Sequence, residues 1–113
     1  MKILIDGFIE FYGDRVKLVK TLMKRQSPEK FPEVLKWVFQ TLYFHEGVWV
    51  EICRIDNYLH EKQSGSHIHY YGRKEVRRIA LNYREAEKAI KDISERIIRE
   101  RFNDVVRFPH EKL

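Results

Sequence analysis

The chain has 113 residues, of which 43% are hydrophobic, 13% aromatic and 35% charged, and its formal net charge is +5 at pH 7. This length and composition predict one folded domain over residues 1–113 and exclude a long disordered chain. A single cysteine, Cys53, excludes an internal disulfide and a zinc site built from several cysteines.

Hydropathy and charge bear on where the protein works. No apolar run reaches the roughly 20 residues that a spanning helix needs. Acids interrupt the N-terminal segment where a signal peptide would be apolar. We therefore expect a cytoplasmic protein without a membrane partner. The positive charge fits an anionic partner such as RNA, and it fits equally the Lys-, Arg- and Glu-rich composition of thermophile proteins.

The first predicted element is a β-hairpin, because apolar residues alternate on both sides of the turn Gly13-Asp14. A two-residue turn would place Glu10 opposite Lys17. The second arm also fits a helical stripe, so its type stays open. Two prolines then predict a linker-like turn over residues 26–33, between this hairpin and the next.

A second hairpin is predicted around Glu46-Gly47, since both arms are dense in β-branched and aromatic residues. Both of its faces are apolar, which predicts a central position in the sheet. Cys53 is expected to be a small buried hydrophobic residue. Counting back from the turn predicts pairs that share one face: Tyr43 with Val50, Thr41 with Ile52, Phe39 with Arg54 and Trp37 with Asp56.

A third hairpin is predicted around Gly72-Arg73, followed by a helix that Asn82 caps, with Glu85 completing a capping box. The tail over residues 109–113 is expected to be frayed. The chain thus predicts an α+β fold, an antiparallel sheet of about five or six strands in consecutive hairpins with one long C-terminal helix on one face. The apolar stripe of the helix is predicted at Ala86, Ile90, Ile93 and Ile97, and its solvated face at Arg84, Lys88, Lys91 and Arg96.

A polar cluster is predicted where the second and third hairpins meet. His67 and His69 stand two apart on a strand and therefore share a face, as do Arg54 and Asp56. The loop between the two strands carries His60. If the strands pair, all five side chains meet at one end of the sheet.

Three kinds of chemistry fit this cluster, and the sequence leaves open whether the chain is an enzyme. His67 and His69 could hold a divalent metal, with Asp56 or His60 as the third ligand and water in an open position. The two histidines could instead act as general base and acid on a phosphodiester, while Arg54 or Arg78 stabilises phosphate charge. Binding of RNA without catalysis is the third use. The predicted substrate-binding residues are His60, Tyr71 and Arg78.

The motif resembles a known family. Asp56-Asn57 at a strand end, Gly65 in the following loop, and the His-x-His of His67 and His69 ahead of a terminal helix resemble the TumE-type toxins of toxin–antitoxin pairs. The resemblance covers roughly residues 34–100. It implies a growth-inhibiting toxin that a separate, usually DNA-binding, antitoxin neutralises, and it implies no particular reaction.

Other interpretations stay open beside the toxin that acts on RNA or nucleotides. The chain could be a non-catalytic module that binds RNA or protein. Asp56-Asn57 could be turn chemistry alone, because both side chains bond to nearby backbone. The histidines could only cap the sheet while exposed aromatic residues dock another chain, and edge strands would then suit a homodimer.

Overall fold

In this computed structural model, residues 2–27, 30–57, 66–73, 76–79 and 81–108 are described. They form one six-stranded antiparallel sheet and one helix, which confirms the predicted α+β class. Strand order in the sheet follows the chain, so consecutive strands pair throughout. Within these ranges no helix has the length and apolar character that crossing a membrane requires. The elements are β1 Lys2–Tyr12, β2 Val16–Ser27, β3 Lys30–His45, β4 Val48–Asp56, β5 Ser66–Tyr70, β6 Val76–Ile79 and α1 Tyr83–Phe102.

The turn between β1 and β2 is one residue longer than predicted, because residues 13–15 all lie in it. The register therefore places Phe11 opposite Lys17 and Glu10 opposite Leu18. The predicted pair of Glu10 with Lys17 is wrong for this reason. Both arms are strands, which resolves the second arm against a helix.

The Lys20 ammonium group ties this hairpin to the helix. It lies 2.5 Å from the Glu10 carboxylate and also contacts Glu87 of α1. The Tyr12 hydroxyl donates to the same Glu10 carboxylate. Burial raises the pKa of Glu10, but the hydrogen bonds from Lys20 and Tyr12 outweigh it and leave that pKa below its ordinary value. The charges thus compensate one another between sheet and helix.

The connection between β2 and β3 is shorter than the predicted linker over residues 26–33. β2 continues to Ser27, β3 begins at Lys30, and these two residues pair. Pro32 therefore lies within a strand, next to an irregularity in the ladder, where a residue without an N–H is tolerated. Residues 28–29, like the predicted frayed tail over 109–113, lie outside the described residues.

A β-bulge in β4 decides which face its residues occupy. The turn residues Glu46 and Gly47 both have positive φ, 49° and 82°, as a two-residue hairpin turn requires. Tyr43 pairs with Val50, which confirms the predicted register next to the turn. Further along, the register shifts and Ile52 becomes the extra residue of β4.

The bulge makes three predicted pairs wrong: Thr41 pairs with Cys53 rather than Ile52, Phe39 with Ile55 rather than Arg54, and Val38 rather than Trp37 with Asp56. The physical reason is that a bulge lets two successive residues enter the core. Ile52 and Cys53 are both 0% exposed. Arg54 and Asp56 consequently turn to the face of the sheet opposite Ile55.

Helix α1 packs on one face of the sheet through a stripe that differs in part from the predicted one. The capping box of Asn82 and Glu85 is confirmed. Ile93 and Ile97 are only partly buried at the edge of the contact. Lys91, predicted on the solvated face, is only 9% exposed, so that prediction is wrong. The buried helix residues are Ala86, Ile90, Lys91, Ser94 and Ile98.

The Thr41 hydroxyl of β3 forms a buried hydrogen bond of 2.6 Å with the Ser94 hydroxyl of α1. This contact identifies the face of Thr41 as the one against the helix. We call the other side of the sheet the distal face. Directly opposed strand partners share a face, and they form rows across it: one row is Ile9, Val19, Gln40, Arg54 and His69, and the next is Phe11, Lys17, Leu42 and Glu51.

The end of α1 is tied to the first two hairpins through Asp104. Its carboxylate accepts hydrogen bonds of 2.6 Å from the Tyr43 hydroxyl and from the Arg15 guanidinium. The hydrogen bond from Tyr43 is the largest cause of a lowered pKa at Asp104, and Arg15 adds to it against the opposing effect of burial. The segment after the helix is therefore part of the folded unit.

We predict that Asp104→Asn lowers the free energy of unfolding by about 1–2 kcal/mol at neutral pH, because the acceptor of two hydrogen bonds loses its negative charge and Arg15 loses its ion-pair partner. The folded-state pKa of Asp104 is lowered, so its contribution is complete above the unfolded value of about 3.9 and is lost as pH falls through the folded value. Urea unfolding at neutral pH and at about pH 3 measures both effects. Asp14→Asn is the control, since that carboxylate is 98% exposed. Equal losses in the two variants would contradict the prediction.

Candidate functional site

Four side chains of β4 and β5 meet on the distal face: Arg54, Asp56, His67 and His69, which we call the His/Asp cluster. The strands pair as the sequence predicts, with Arg54 opposite His69 and Asp56 opposite His67. Ile68, between the two histidines, points to the other face and is 1% exposed in the core. Alternation along β5 and the bulge in β4 together bring the four groups to one side.

The structure does not place the other three predicted site residues, His60, Tyr71 and Arg78, in the His/Asp cluster. His60 lies outside the described residues. Arg78 is opposite His67 in β6, and its side chain also falls outside the described part of the chain. The Tyr71 ring packs 5.1 Å from the Phe102 ring at the end of α1. Tyr71 is therefore directed to the helix rather than to the His/Asp cluster.

The backbone on either side of the cluster is held by side-chain hydrogen bonds. The Asn57 carboxamide oxygen accepts from the Trp37 N–H at 2.8 Å, and the Asn57 N–H donates to the Trp37 carbonyl. At the start of β5 the Ser66 hydroxyl accepts from the Leu81 N–H at 3.0 Å. Asp56 directly precedes one of these fixed points, Asn57, and His67 directly follows the other, Ser66, which limits their freedom to move apart.

The Asp56 carboxylate is the centre of the cluster. Its Oδ2 lies 3.5 Å from His69 Nε2 and 3.8 Å from Arg54 Nε. Its Oδ1 lies 4.0 Å from His67 Nδ1. One negative charge therefore faces one permanent cation and two imidazoles that can each become cations.

The hydrogen bond between Arg54 and His69 determines how the imidazole is protonated. Arg54 Nη2 lies 3.2 Å from His69 Nδ1. A guanidinium can only donate, so His69 Nδ1 must accept through its lone pair. Neutral His69 then carries its proton on Nε2, the nitrogen that faces Asp56. Arg54 and Asp56 together select this tautomer.

Exposure divides the cluster into two outer and two inner groups. The side chains of Arg54 and His69 are 38% and 22% exposed, whereas those of His67 and Asp56 are 5% and 6% exposed. A ligand from solvent meets Arg54 and His69 first. His67 and Asp56 are nearly buried, and the lower dielectric of a buried position strengthens their interactions.

A divalent metal on Asp56, His67 and His69 was one predicted use of the cluster. Among the described residues, no group of three or more His, Cys, Asp or Glu side chains has the arrangement that could hold a metal ion. At His69 the geometry supplies a reason, since Nδ1 accepts from Arg54 and a guanidinium would repel a nearby metal cation.

Cys53 confirms its predicted role as a buried residue. It is 0% exposed and lies in the hydrophobic core. Burial, with a further contribution from the negative charge of Glu51, raises the pKa of its thiol to about 12. A thiol this reluctant to ionise does not serve as a nucleophile near neutral pH.

Sequence reasoning missed a polar pair beside the cluster. The Gln40 amide donates to the Glu51 carboxylate at 2.7 Å, and Gln40 lies directly opposite Arg54. The predicted register, which had no bulge, put Gln40 and Arg54 on different faces. A bulge leaves little trace in a single sequence, since Ile52 and Cys53 both fit an alternating strand in one register or the other.

Comparisons with known proteins add no relative: no family model, no curated protein and no solved structure matches this chain. The resemblance to TumE-type toxins therefore stays a prediction from the Asp-Asn and His-x-His residues.

We predict that neutral His69 carries its proton on Nε2, because Arg54 donates to Nδ1. Long-range ¹H–¹⁵N spectra of the histidine rings report this directly. Arg54→Met removes the donor but leaves Asp56 beside Nε2, so it should raise the share of the Nδ1–H tautomer at His69 above that in the wild type. His45, whose side chain is 43% exposed beside a turn, is the internal control and should exchange between tautomers in both proteins. A proton found on His69 Nδ1 in the wild type would exclude the arrangement.

We predict that Asp56→Ala lowers the free energy of unfolding by about 2–4 kcal/mol, because it leaves Arg54 and two imidazoles together without a counter-charge. Chemical denaturation measures the loss. Glu46→Ala is the control, since its carboxylate is 85% exposed and should change stability by no more than about 0.5 kcal/mol. Wild-type stability in Asp56→Ala would show that the carboxylate does not organise the cluster.

Proposed function

We propose that the chain is a toxin of a toxin–antitoxin pair and that it cleaves RNA at the His/Asp cluster. One observation carries the proposal: the buried Asp56 carboxylate lies within 4.0 Å of two imidazoles and a guanidinium. Imidazoles that transfer protons and an arginine that stabilises phosphate charge are what phosphodiester cleavage needs. The net charge of +5 and the resemblance of the motif to TumE-type toxins add support.

In the proposed reaction Arg54 binds the scissile phosphate and the two histidines share the proton transfers. One imidazole takes the proton of the ribose 2′-hydroxyl, whose oxygen bonds to phosphorus. The bond from phosphorus to the 5′-oxygen breaks, and the second imidazole gives that oxygen its proton. The products are a 2′,3′-cyclic phosphate and a 5′-hydroxyl, so no proton is gained or lost overall. Asp56 orients the imidazoles throughout.

The hydrogen bond between Arg54 and His69 suits this sequence of events. While Arg54 donates to His69, the Nδ1 lone pair is occupied and His69 cannot accept a proton there. A phosphate oxygen would compete for the same guanidinium, and a bound phosphate would free the lone pair. Substrate binding and the readiness of the base are thereby linked through one side chain.

A non-catalytic RNA-binding module is the second candidate, and the burial of the inner groups favours it. His67 is only 5% exposed and Asp56 only 6%. In this role both would set the positions of Arg54 and His69, and no bond would be broken. RNA binding without products would identify this module.

The proposal includes partners and a location. The resemblance to TumE-type toxins is the reason for proposing an antitoxin, a protein that binds the toxin and neutralises it. The net positive charge and the two histidines of the cluster are the reasons for proposing RNA as the target. We place the activity in the cytoplasm. The two edge strands of the sheet, β1 and β6, would suit a homodimer.

We expect induced expression of the wild type to arrest growth and to leave fragmented total RNA, and we expect His67→Ala/His69→Ala to do neither. Purified wild type should convert single-stranded RNA to products with cyclic phosphate ends. Each single histidine variant should cleave roughly 100-fold or more slowly, because general acid–base catalysis contributes at least that much. The rate should fall at both low and high pH, since one imidazole must be neutral and the other protonated.

His45→Ala is the matched control, because it removes an imidazole that lies outside the cluster. It should arrest growth and cleave RNA as the wild type does. Harmless expression of the wild type together with intact RNA would overturn the toxin and the nuclease together. Growth arrest with intact RNA would overturn the reaction only.

A further inference from the structure

The distal face carries exposed aromatic rings beside the His/Asp cluster. Phe11 in β1 is 62% exposed and Phe44 in β3 is 40% exposed. Trp49 in β4 joins them, with ring centroids 6.4 Å from Phe11 and 5.2 Å from Phe44. We call Phe11, Phe44, Trp49 and the neighbouring Lys17 the aromatic platform. Contiguous apolar patches on a protein surface mark interaction sites when they are large enough.

A lysine stands within this apolar surface. Lys17 lies opposite Phe11, and its Nζ is 4.2 Å from the centroid of the Trp49 ring and 5.9 Å from that of Phe11. The centres of protein–protein interfaces are depleted in lysine, because its charge is costly to desolvate. A two-fold contact centred on the platform would also bring Lys17 against its own copy. The cation therefore argues against both another protein and a second copy as the ligand.

Single-stranded nucleic acid fits the same features. Bases stack on exposed aromatic side chains of a sheet, and a cation among the rings attracts the phosphates between them. Another cationic group, the Arg54 guanidinium, lies on the same face, because Arg54 and His69 belong to the row next to that of Phe11 and Lys17. Glu51 lies between, and its carboxylate accepts a hydrogen bond from Gln40. If the RNA lies with its bases, rather than its phosphates, against the distal face, its phosphates avoid repulsion by the Glu51 carboxylate.

Distance along the strands links the platform to the cluster. Phe44 lies four residues from Gln40, the partner of Arg54, which corresponds to about 13 Å at roughly 3.3 Å per residue. The platform and Arg54 can thus contact different nucleotides of one extended strand.

We infer that the aromatic platform binds the bases of a single-stranded RNA whose backbone reaches Arg54 in the His/Asp cluster. The inference rests on the proposed function for the identity of the ligand. It adds a second part to the site, which holds the substrate without taking part in proton transfer. Substitutions in the aromatic platform should therefore lower the affinity for RNA, whereas substitutions of the histidines should lower the rate of cleavage.

The test measures binding with a probe that cannot be cleaved. A short, fluorescently labelled single-stranded oligoribonucleotide with a 2′-O-methyl group on every ribose lacks the attacking hydroxyl, so fluorescence anisotropy reports affinity alone. Phe11→Ala should weaken binding roughly 5- to 100-fold, as the loss of one stacked base implies. Lys17→Met should weaken binding and reduce its dependence on salt.

Phe8→Ala is the matched control. Phe8 lies in the same strand, is 49% exposed, and pairs with Lys20 on the helix side of the sheet. It should bind the probe as the wild type does. In a Trp37→Phe background Trp49 is the remaining tryptophan, and RNA should quench its fluorescence if bases stack on the platform.

The outcomes separate this inference from the proposed function. Wild-type affinity in Phe11→Ala, or equal losses in Phe11→Ala and Phe8→Ala, overturns the platform even if RNA is cleaved. Binding that depends on Phe11 without cleavage of ordinary RNA supports the platform and overturns the nuclease. The wild type could instead fail to bind the probe and use Phe11 to self-associate or to bind another protein. That result would overturn the inference in favour of a protein interface.

Discussion

One extra residue in β4 determines how the whole distal face is built. Without the bulge at Ile52, the alternation of β4 would direct Arg54 and Asp56 under the helix and Cys53 and Ile55 away from it. Burying two more charged groups between the sheet and the helix would cost several kcal/mol unless each found a partner there. The bulge avoids that cost and adds both Ile52 and Cys53 to the core. It also places the two charged side chains on the distal face, next to the histidines of β5. The His/Asp cluster is thus a consequence of a local irregularity in one strand.

The cluster itself is balanced around a single carboxylate. Asp56 is nearly buried, and the groups around it supply more positive charge than it can neutralise once an imidazole is protonated. Arg54 and His69 are the two more exposed members of the cluster, so that surplus would face outward through them. Because Arg54 also fixes the tautomer of His69, the groups act as a unit, and their individual contributions will not add when they are removed one at a time.

The sequence predicted the elements well because the signals for them are local. The hairpin around Glu46 and Gly47, the capping box at Asn82 and the pairing of the histidine strand with β4 follow from turn chemistry, capping and alternation. The wrong strand pairs arose because the register was predicted by counting residues from each turn. A three-residue turn after Tyr12 and the bulge at Ile52 each moved a pairing by one position, and in a strand one position changes the face. The burial of Lys91 depends on which side of the helix the sheet touches, and the helical pattern alone did not specify it.

The order of strands in the sheet, which matches their order in the chain, has a consequence for synthesis. Each new strand can pair with the one made just before it, so the sheet can grow while translation continues. Phe11, Phe44, Trp49, Arg54 and Asp56 emerge first, and the two histidines follow later with β5. The core gains its helical cover last, from α1. A ribosome that has made four strands therefore carries an exposed aromatic surface with half of the cluster, and the His/Asp cluster is complete only after β5 has been made.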